Sequence, residues 1–137
     1  MKIIIDTNVL VSAAFRDRLP ESVILWILAH PEWAWIASEE IIREYKEVLR
    51  RPKFKLTDAQ VQYWRDLIDE AVEIVPVSAT VDFPRDRKDA KFLACALAHR
   101  ADVLLTGDRD FEDADREINK MKISQFSRFT LDLPEDE

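Results

Sequence analysis

The sequence predicts an α/β fold, a three-layer α/β/α sandwich around a parallel sheet, and three observations carry that expectation. Short apolar runs, Ile3-Ile4-Ile5 and Val103-Leu104-Leu105, read as buried strands. Segments of helical periodicity separate them, and strands alternating with helices imply parallel pairing through crossover connections. The lone glycine of the 137 residues, Gly107, falls in Thr106-Gly107-Asp108-Arg109-Asp110, directly after the second run. Average usage would give roughly 7% glycine, so this one marks a tight turn at a strand's carboxyl end. Carboxylates follow both runs, Asp6 after the first and Asp108 and Asp110 after the second. Sites in open α/β sheets form outside the carboxyl ends of the strands. Acids gathered at that edge suggest a cluster that holds a divalent metal.

The elements follow in chain order. After a strand over 2–5, residues 8–15 form a short helix and 16–19 a loop. Pro20 suits the first turn of a helix that reaches Ala29. Residues 33–37 read as the second strand, and Ser38 caps an amphipathic helix over 39–50 that Pro52 ends. Thr57-Asp58-Ala59-Gln60 has the spacing of a capping box and opens a helix through Val72. Ile74-Val75-Pro76-Val77 is a short strand that its proline confines to a sheet edge. A helix over 87–99 leads into the strand at 103–106, with a last strand over 121–124 and a helical turn over 126–131. Nothing divides the chain, so 1–131 is expected as one domain and 132–137 as an acidic tail.

Composition narrows the function classes. Hydrophobic residues at 47% and charged residues at 34% describe a soluble globular chain. No apolar run approaches the roughly 20 residues a membrane span needs, and Met1-Lys2 enters a strand without the layout of a secretion signal. The lone Cys95 forms no internal disulfide, which suits a reducing cytoplasm, and its apolar helical surroundings make it a packed, inert thiol. A net charge of −7 argues against a general nucleic-acid binder. That objection is partial, because four acids lie in the tail and a metal would cancel several others. Basic residues gather in two segments, Arg43 to Lys55 and Arg85 to Lys91. Arg50, Arg51, Lys53, Arg85 and Arg87 are the first candidates for contact with phosphates of a nucleic acid, although such clusters are commonly solvated helix faces.

Position selects among 27 acids. On the helix from Arg87, Leu93, Ala96 and Leu97 form the apolar stripe, and a turn of about 100° per residue places Asp89 at its head. A core-facing charge is costly unless paired or bound to metal, whereas Asp86 is the simpler N-cap. On the helix over 39–50, Ile41, Ile42, Tyr45, Val48 and Leu49 define the buried side, and Glu44 falls about 40° from Val48, closer than Glu40 or Glu47. Taken singly, Asp6 reads as a helix cap, Glu44 as a boundary residue paired with a lysine, and Asp108 and Asp110 as turn formers. Jointly, Asp6, Glu44, Asp89 and Asp108 converge from separate elements on one sheet edge. Thr7 and Asn8 are placed to orient Asp6. Hard oxygen donors suit Mg²⁺ or Mn²⁺.

These residues resemble the PIN-domain family of metal-dependent ribonucleases. Asp6-Thr7-Asn8-Val9-Leu10-Val11-Ser12 looks like the family's first motif, and Ser38 with Glu44 and Val48-Leu49 like its second. Arg85-Asp86-Arg87-Lys88-Asp89-Ala90-Lys91-Phe92-Leu93 through Ala98 resembles the third, and Thr106-Gly107-Asp108-Arg109-Asp110-Phe111 the fourth. Arg50-Arg51-Pro52-Lys53-Phe54 and the Arg85-Asp86 pair bring it nearest to the VapC-like toxin branch of toxin–antitoxin pairs. The resemblance implies a five-stranded parallel sheet, an acidic Mg²⁺ or Mn²⁺ site and cleavage of single-stranded RNA. It also implies a homodimer and a cognate antitoxin. Asp6, Glu44, Asp89 and Asp108 would be catalytic and metal-holding, Asp110 an additional ligand, and Thr7, Asn8, Ser38 and Thr106 their supports.

Two other readings stay open. A phosphatase with an aspartyl nucleophile after the first strand would want a second aspartate two residues on, where this chain has Asn8. A non-catalytic RNA- or protein-binding module on the same fold would not need the full acid set. His30 and His99 each end a helix, an ordinary dipole role that leaves no imidazole pair for metal-free catalysis. Trp26, Trp33, Trp35 and Trp64 read as core or dimer interface rather than as a base-stacking platform.

Overall fold

Ile3, Ile4 and Ile5 are fully buried because their strand occupies the centre of the sheet. The computed structural model describes residues 1–15, 18–77, 87–106 and 120–121, with the side chains at 18, 87–89, 120 and 121 excepted. The elements alternate as expected: β1 (Lys2–Ile5), α1 (Thr7–Ala14), α2 (Arg18–Ala29), β2 (Ala34–Ala37), α3 (Glu39–Leu49), a 3₁₀ turn (Pro52–Phe54) and α4 (Asp58–Ala71). Then come β3 (Glu73–Ile74), α5 (Arg87–His99), β4 (Val103–Leu105) and β5 (Lys120–Met121). The five strands lie in the order β3-β2-β1-β4-β5, and every pairing is parallel. The fold is a three-layer α/β/α sandwich.

Strand order determines where a site can form. The chain steps outward from β1 through β2 to β3, then returns to the other side of β1 with β4. The sheet therefore reverses direction between β1 and β4, the switch point where α/β folds open a crevice at the strands' carboxyl ends. Asp6 follows β1 and Thr106 follows β4 directly. The backbone N–H of Asp6 donates to the Leu105 carbonyl at 3.0 Å, holding the two ends together.

Local chemistry explains the helix limits. The Ser38 hydroxyl accepts from the Ile41 N–H at 3.3 Å and caps α3, on which Ile41, Ile42, Tyr45, Val48 and Leu49 are buried. Thr57 and Gln60 form the full capping box of α4. α5 ends in a Schellman turn, with Ala101 N–H bonded to the Ala96 carbonyl and Arg100 N–H to Leu97. Arg100 fills the left-handed position at φ 52 where glycine is usual. Cys95 is fully buried.

One strand sits earlier than its hydrophobic pattern suggests. β3 is Glu73–Ile74, paired with Ile36 and Ala37, rather than the run 74–77. Val75 still donates to the Ala37 carbonyl, but Pro76 has no N–H with which to extend the ladder. The edge position holds. β5 begins one residue before the expected run, and the remainder of that run, the turn over 126–131, Gly107 and the tail lie outside the described residues.

Candidate active site at the carboxyl edge of the sheet

Asp6 is 5% exposed, and it stands at the N-cap position of α1 without using its side chain as a cap. Its backbone carbonyl accepts the Val9 and Leu10 N–H groups instead. The carboxylate takes the Thr106 hydroxyl on Oδ2 at 2.8 Å. That bond crosses the switch point from β4 to β1. A carboxylate buried here without a capping role is costly to hold unless other charges or donors stabilise it.

Glu44 arrives from α3, and both of its oxygens are engaged. The Thr7 hydroxyl donates to Oε2, and the Lys91 ammonium of α5 lies 2.8 Å from Oε1. Glu44 is thus a boundary glutamate paired with a lysine and also an acid drawn to the end of β1. Lys91 is only 15% exposed, so this ion pair is largely withdrawn from water. Sequence reasoning placed Lys91 in a basic cluster and did not link it to Glu44. The available signal was its position one turn before the buried Cys95 on α5, which turns it inward.

Tyr45 locks this arrangement and was legible only as a core residue. Its hydroxyl donates to the Ile5 carbonyl at the end of β1 and accepts the Trp35 indole N–H at 3.4 Å. Burial drives the phenol far above its usual range, and the negative charges of Asp6 and Glu44 push the same way. The two carboxylates therefore act on one buried neighbour. Burial also pushes the Cys95 thiol up to about 11, against a hydrogen bond with the Ser38 backbone.

The remaining expected residues divide plainly. Thr7 serves Glu44 rather than Asp6, Thr106 serves Asp6, and Ser38 caps the helix that carries Glu44. Asn8 is exposed and makes no side-chain hydrogen bond among the described residues. Asp108, Asp110 and Arg85, and the side chains of Asp89 and Arg87, lie outside the described residues, although the α5 backbone at 89 is helical. Among the described residues no group of three or more His, Cys, Asp or Glu can hold a metal. Asp6 and Glu44 bring carboxylate oxygens to this edge from two elements, the donor type that hard divalent cations take, and Glu44 already holds a cation in Lys91.

The basic candidates lie farther along α3. Arg50 caps that helix, Arg51 pairs with Glu47 at 3.1 Å, and the Lys53 ammonium sits 5.0 Å from the Phe54 ring centroid. Both histidines are committed to carbonyls, His30 Nδ1 to Trp26 and His99 Nε2 to Pro76, each at 2.6 Å. Trp35 and Trp64 are buried, and Trp26 and Trp33 pack against the core.

No curated protein matches the chain. Among solved structures it is similar to the crystal structure of VapBC2 from Rickettsia felis bound to a DNA fragment from their promoter. The identity is 16% and the TM-score 0.65, over 89% of this chain and 98% of that one. At that identity the likeness speaks for the fold. Residues 2–110 match the family model of the PIN domain. That span takes in both described acids and most of the sheet, and the chain belongs to the PIN-domain family.

Proposed function

We propose that this protein is a Mg²⁺- or Mn²⁺-dependent endoribonuclease acting on single-stranded RNA, and the toxin of a toxin–antitoxin pair. PIN domains are generally nucleases. The observation that carries the reading is that buried Asp6 ends β1 at the switch point while Glu44 is bonded to Thr7, the next residue, and to the Lys91 ammonium. Asp6, Glu44, Asp89 and Asp108 would hold the metal, with Asp110 assisting. When bound, a divalent ion acidifies water and offsets charge developing on a phosphate. The chain's own part is positional. Thr106 fixes one oxygen of Asp6, Thr7 fixes one of Glu44, and Tyr45 ties α3 to the end of β1. Carboxylates oriented in this way by hydrogen bonds would need little rearrangement to take an ion.

Around that centre we assign Arg50, Arg51, Lys53, Arg85 and Arg87 to the RNA backbone. One domain over 1–131 with an acidic tail, a homodimer and a cytoplasmic setting complete the proposal. The similarity to a VapBC complex supports an antitoxin partner.

Asp89→Asn tests the assignment. It keeps size while removing the charge that would hold metal. Cleavage of single-stranded RNA in Mn²⁺ should collapse, while the metal-free melting temperature stays level or rises as repulsion among acids is relieved. Loss of a structural ion pair would instead lower stability by about 3–5 kcal/mol. A well-folded variant that cuts at the wild-type rate removes Asp89 from the mechanism.

A further inference from the structure

We propose that Phe15 and Phe54 form a stacking platform for an unpaired RNA base, and that the basic cleft beside them holds the flanking phosphates. The inference rests on the single-stranded RNA reading and extends it to residues remote from the acids. Phe15 ends α1 and is 48% exposed, although a phenyl ring of that size is ordinarily buried. Its ring meets Phe54 edge-on, with centroids 5.5 Å apart and planes at 66°. Lys53 lies over the Phe54 ring.

The 3₁₀ turn bearing Phe54 also borders a cleft of about 370 Å³ between the end of α3 and α4. Arg50, Arg51, Lys55 and Arg65 line it against a single acid, Asp58. Of these cations only Arg51 has a carboxylate partner among the described residues. Unpaired cations converging on a concave surface favour a polyanion, and aromatic faces interleaved with cations are how single-stranded nucleic acid is held without sequence preference.

The platform and the acids share one helix seam. Thr7 touches Glu44 at the start of α1, and Phe15 touches Phe54 at its end. At 1.5 Å per residue those ends stand roughly 12 Å apart. A strand held at the acids can therefore run down α1 and α3 to the aromatic pair.

Binding is read by fluorescence anisotropy on the full chain in EDTA, so that nothing is cut. The probes are a single-stranded RNA of about 12 nucleotides and an abasic oligomer with the same number of phosphates. Wild type should prefer the RNA. Phe15→Ala should weaken RNA binding about 5- to 100-fold and leave the abasic oligomer unchanged, while Phe15→Trp restores RNA affinity. Arg50→Ala with Arg65→Ala should weaken both probes and flatten the salt dependence. Phe15→Ala and Phe15→Leu binding RNA like wild type would overturn the platform. Equal wild-type affinity for both probes would overturn it too, leaving a charged surface suited to any polyanion, an acidic protein included. If wild type binds neither probe and cuts no RNA in Mn²⁺, the RNA reading fails as a whole. If it cuts RNA normally while Phe15→Ala changes nothing, only the platform fails.

Discussion

Lys91 and a divalent metal would compete for the same oxygen of Glu44. The ammonium sits 2.8 Å from Oε1, and the other oxygen is held by Thr7. Removing the ammonium with Lys91→Met leaves half-buried Glu44 without its counter-charge. The metal-free variant should be less stable than wild type by about 1–3 kcal/mol, between the exposed and buried limits for broken pairs. Mn²⁺ should then raise its melting temperature by more than it raises that of wild type. An equal rise in both would show that Lys91 and the metal do not meet at Glu44. A second residue gives a pH signature. The Cys95 thiol, ordinarily near 9.0, is pushed up to about 11, so the fold favours its neutral form. Below pH 9.0 folded and unfolded chains both keep the proton, and stability is flat with respect to this group. Between there and about 11 only the folded chain keeps it, so stability falls as pH rises. Tyr45, shifted upward as well, adds to the loss at higher pH. Urea midpoints taken from pH 8 to 11 should decline, and Cys95→Ala should shallow the decline; an unchanged slope would remove the thiol as a cause.

At the scale of elements, two helix caps separate support of the site from support of the fold. Ser38 caps α3, which carries Glu44 and Tyr45, whereas Thr57 caps α4, which carries no candidate acid. Ser38→Ala and Thr57→Ala should each cost about 1 kcal/mol in thermal unfolding. At saturating RNA only Ser38→Ala should also depress cleavage, because it loosens the turn that aims Glu44. Thr57→Ala loosens α4 beside the Arg65 cleft and should act on RNA binding alone. Equal loss of cleavage in both would mean that activity follows stability alone. Both caps were legible in the sequence because a cap is a bond between residues three apart. The limits of α5 were legible for a similar reason, its apolar stripe being local. β3 begins one residue earlier and ends three residues earlier than its apolar run, since hydrophobicity does not reveal that exposed Glu73 pairs through its backbone while Pro76 stops the ladder. The Glu44–Lys91 pair and the Tyr45 bond to Ile5 were not legible, because each depends on how separate elements dock. Asp6 and Glu44 were found at the sheet edge by direction alone: one follows a buried strand, and the other borders a buried stripe.

Across the whole molecule, strand order is the fact that sequence withheld and the site depends on. The central place of β1, with β4 returning beside it, makes the switch point where Asp6 and Thr106 meet. Local periodicity identifies strands without ordering them, since pairing is long-range. No helix among the described residues is long and apolar enough to cross a membrane. A net charge of −7 makes a bound divalent ion favourable for the chain as a whole, beyond its effect at the site. If Asp6 and Glu44 are halves of one cation site, as proposed, thermal melting in Mn²⁺ will register it. Wild type should melt higher in Mg²⁺ or Mn²⁺ than in Na⁺ of equal ionic strength, gaining about 2.7 kcal/mol at 100 times the dissociation constant. The double variant Asp6→Asn/Glu44→Gln should not respond. No shift in wild type beyond that of Na⁺, or the same shift in the double variant, would contradict the account.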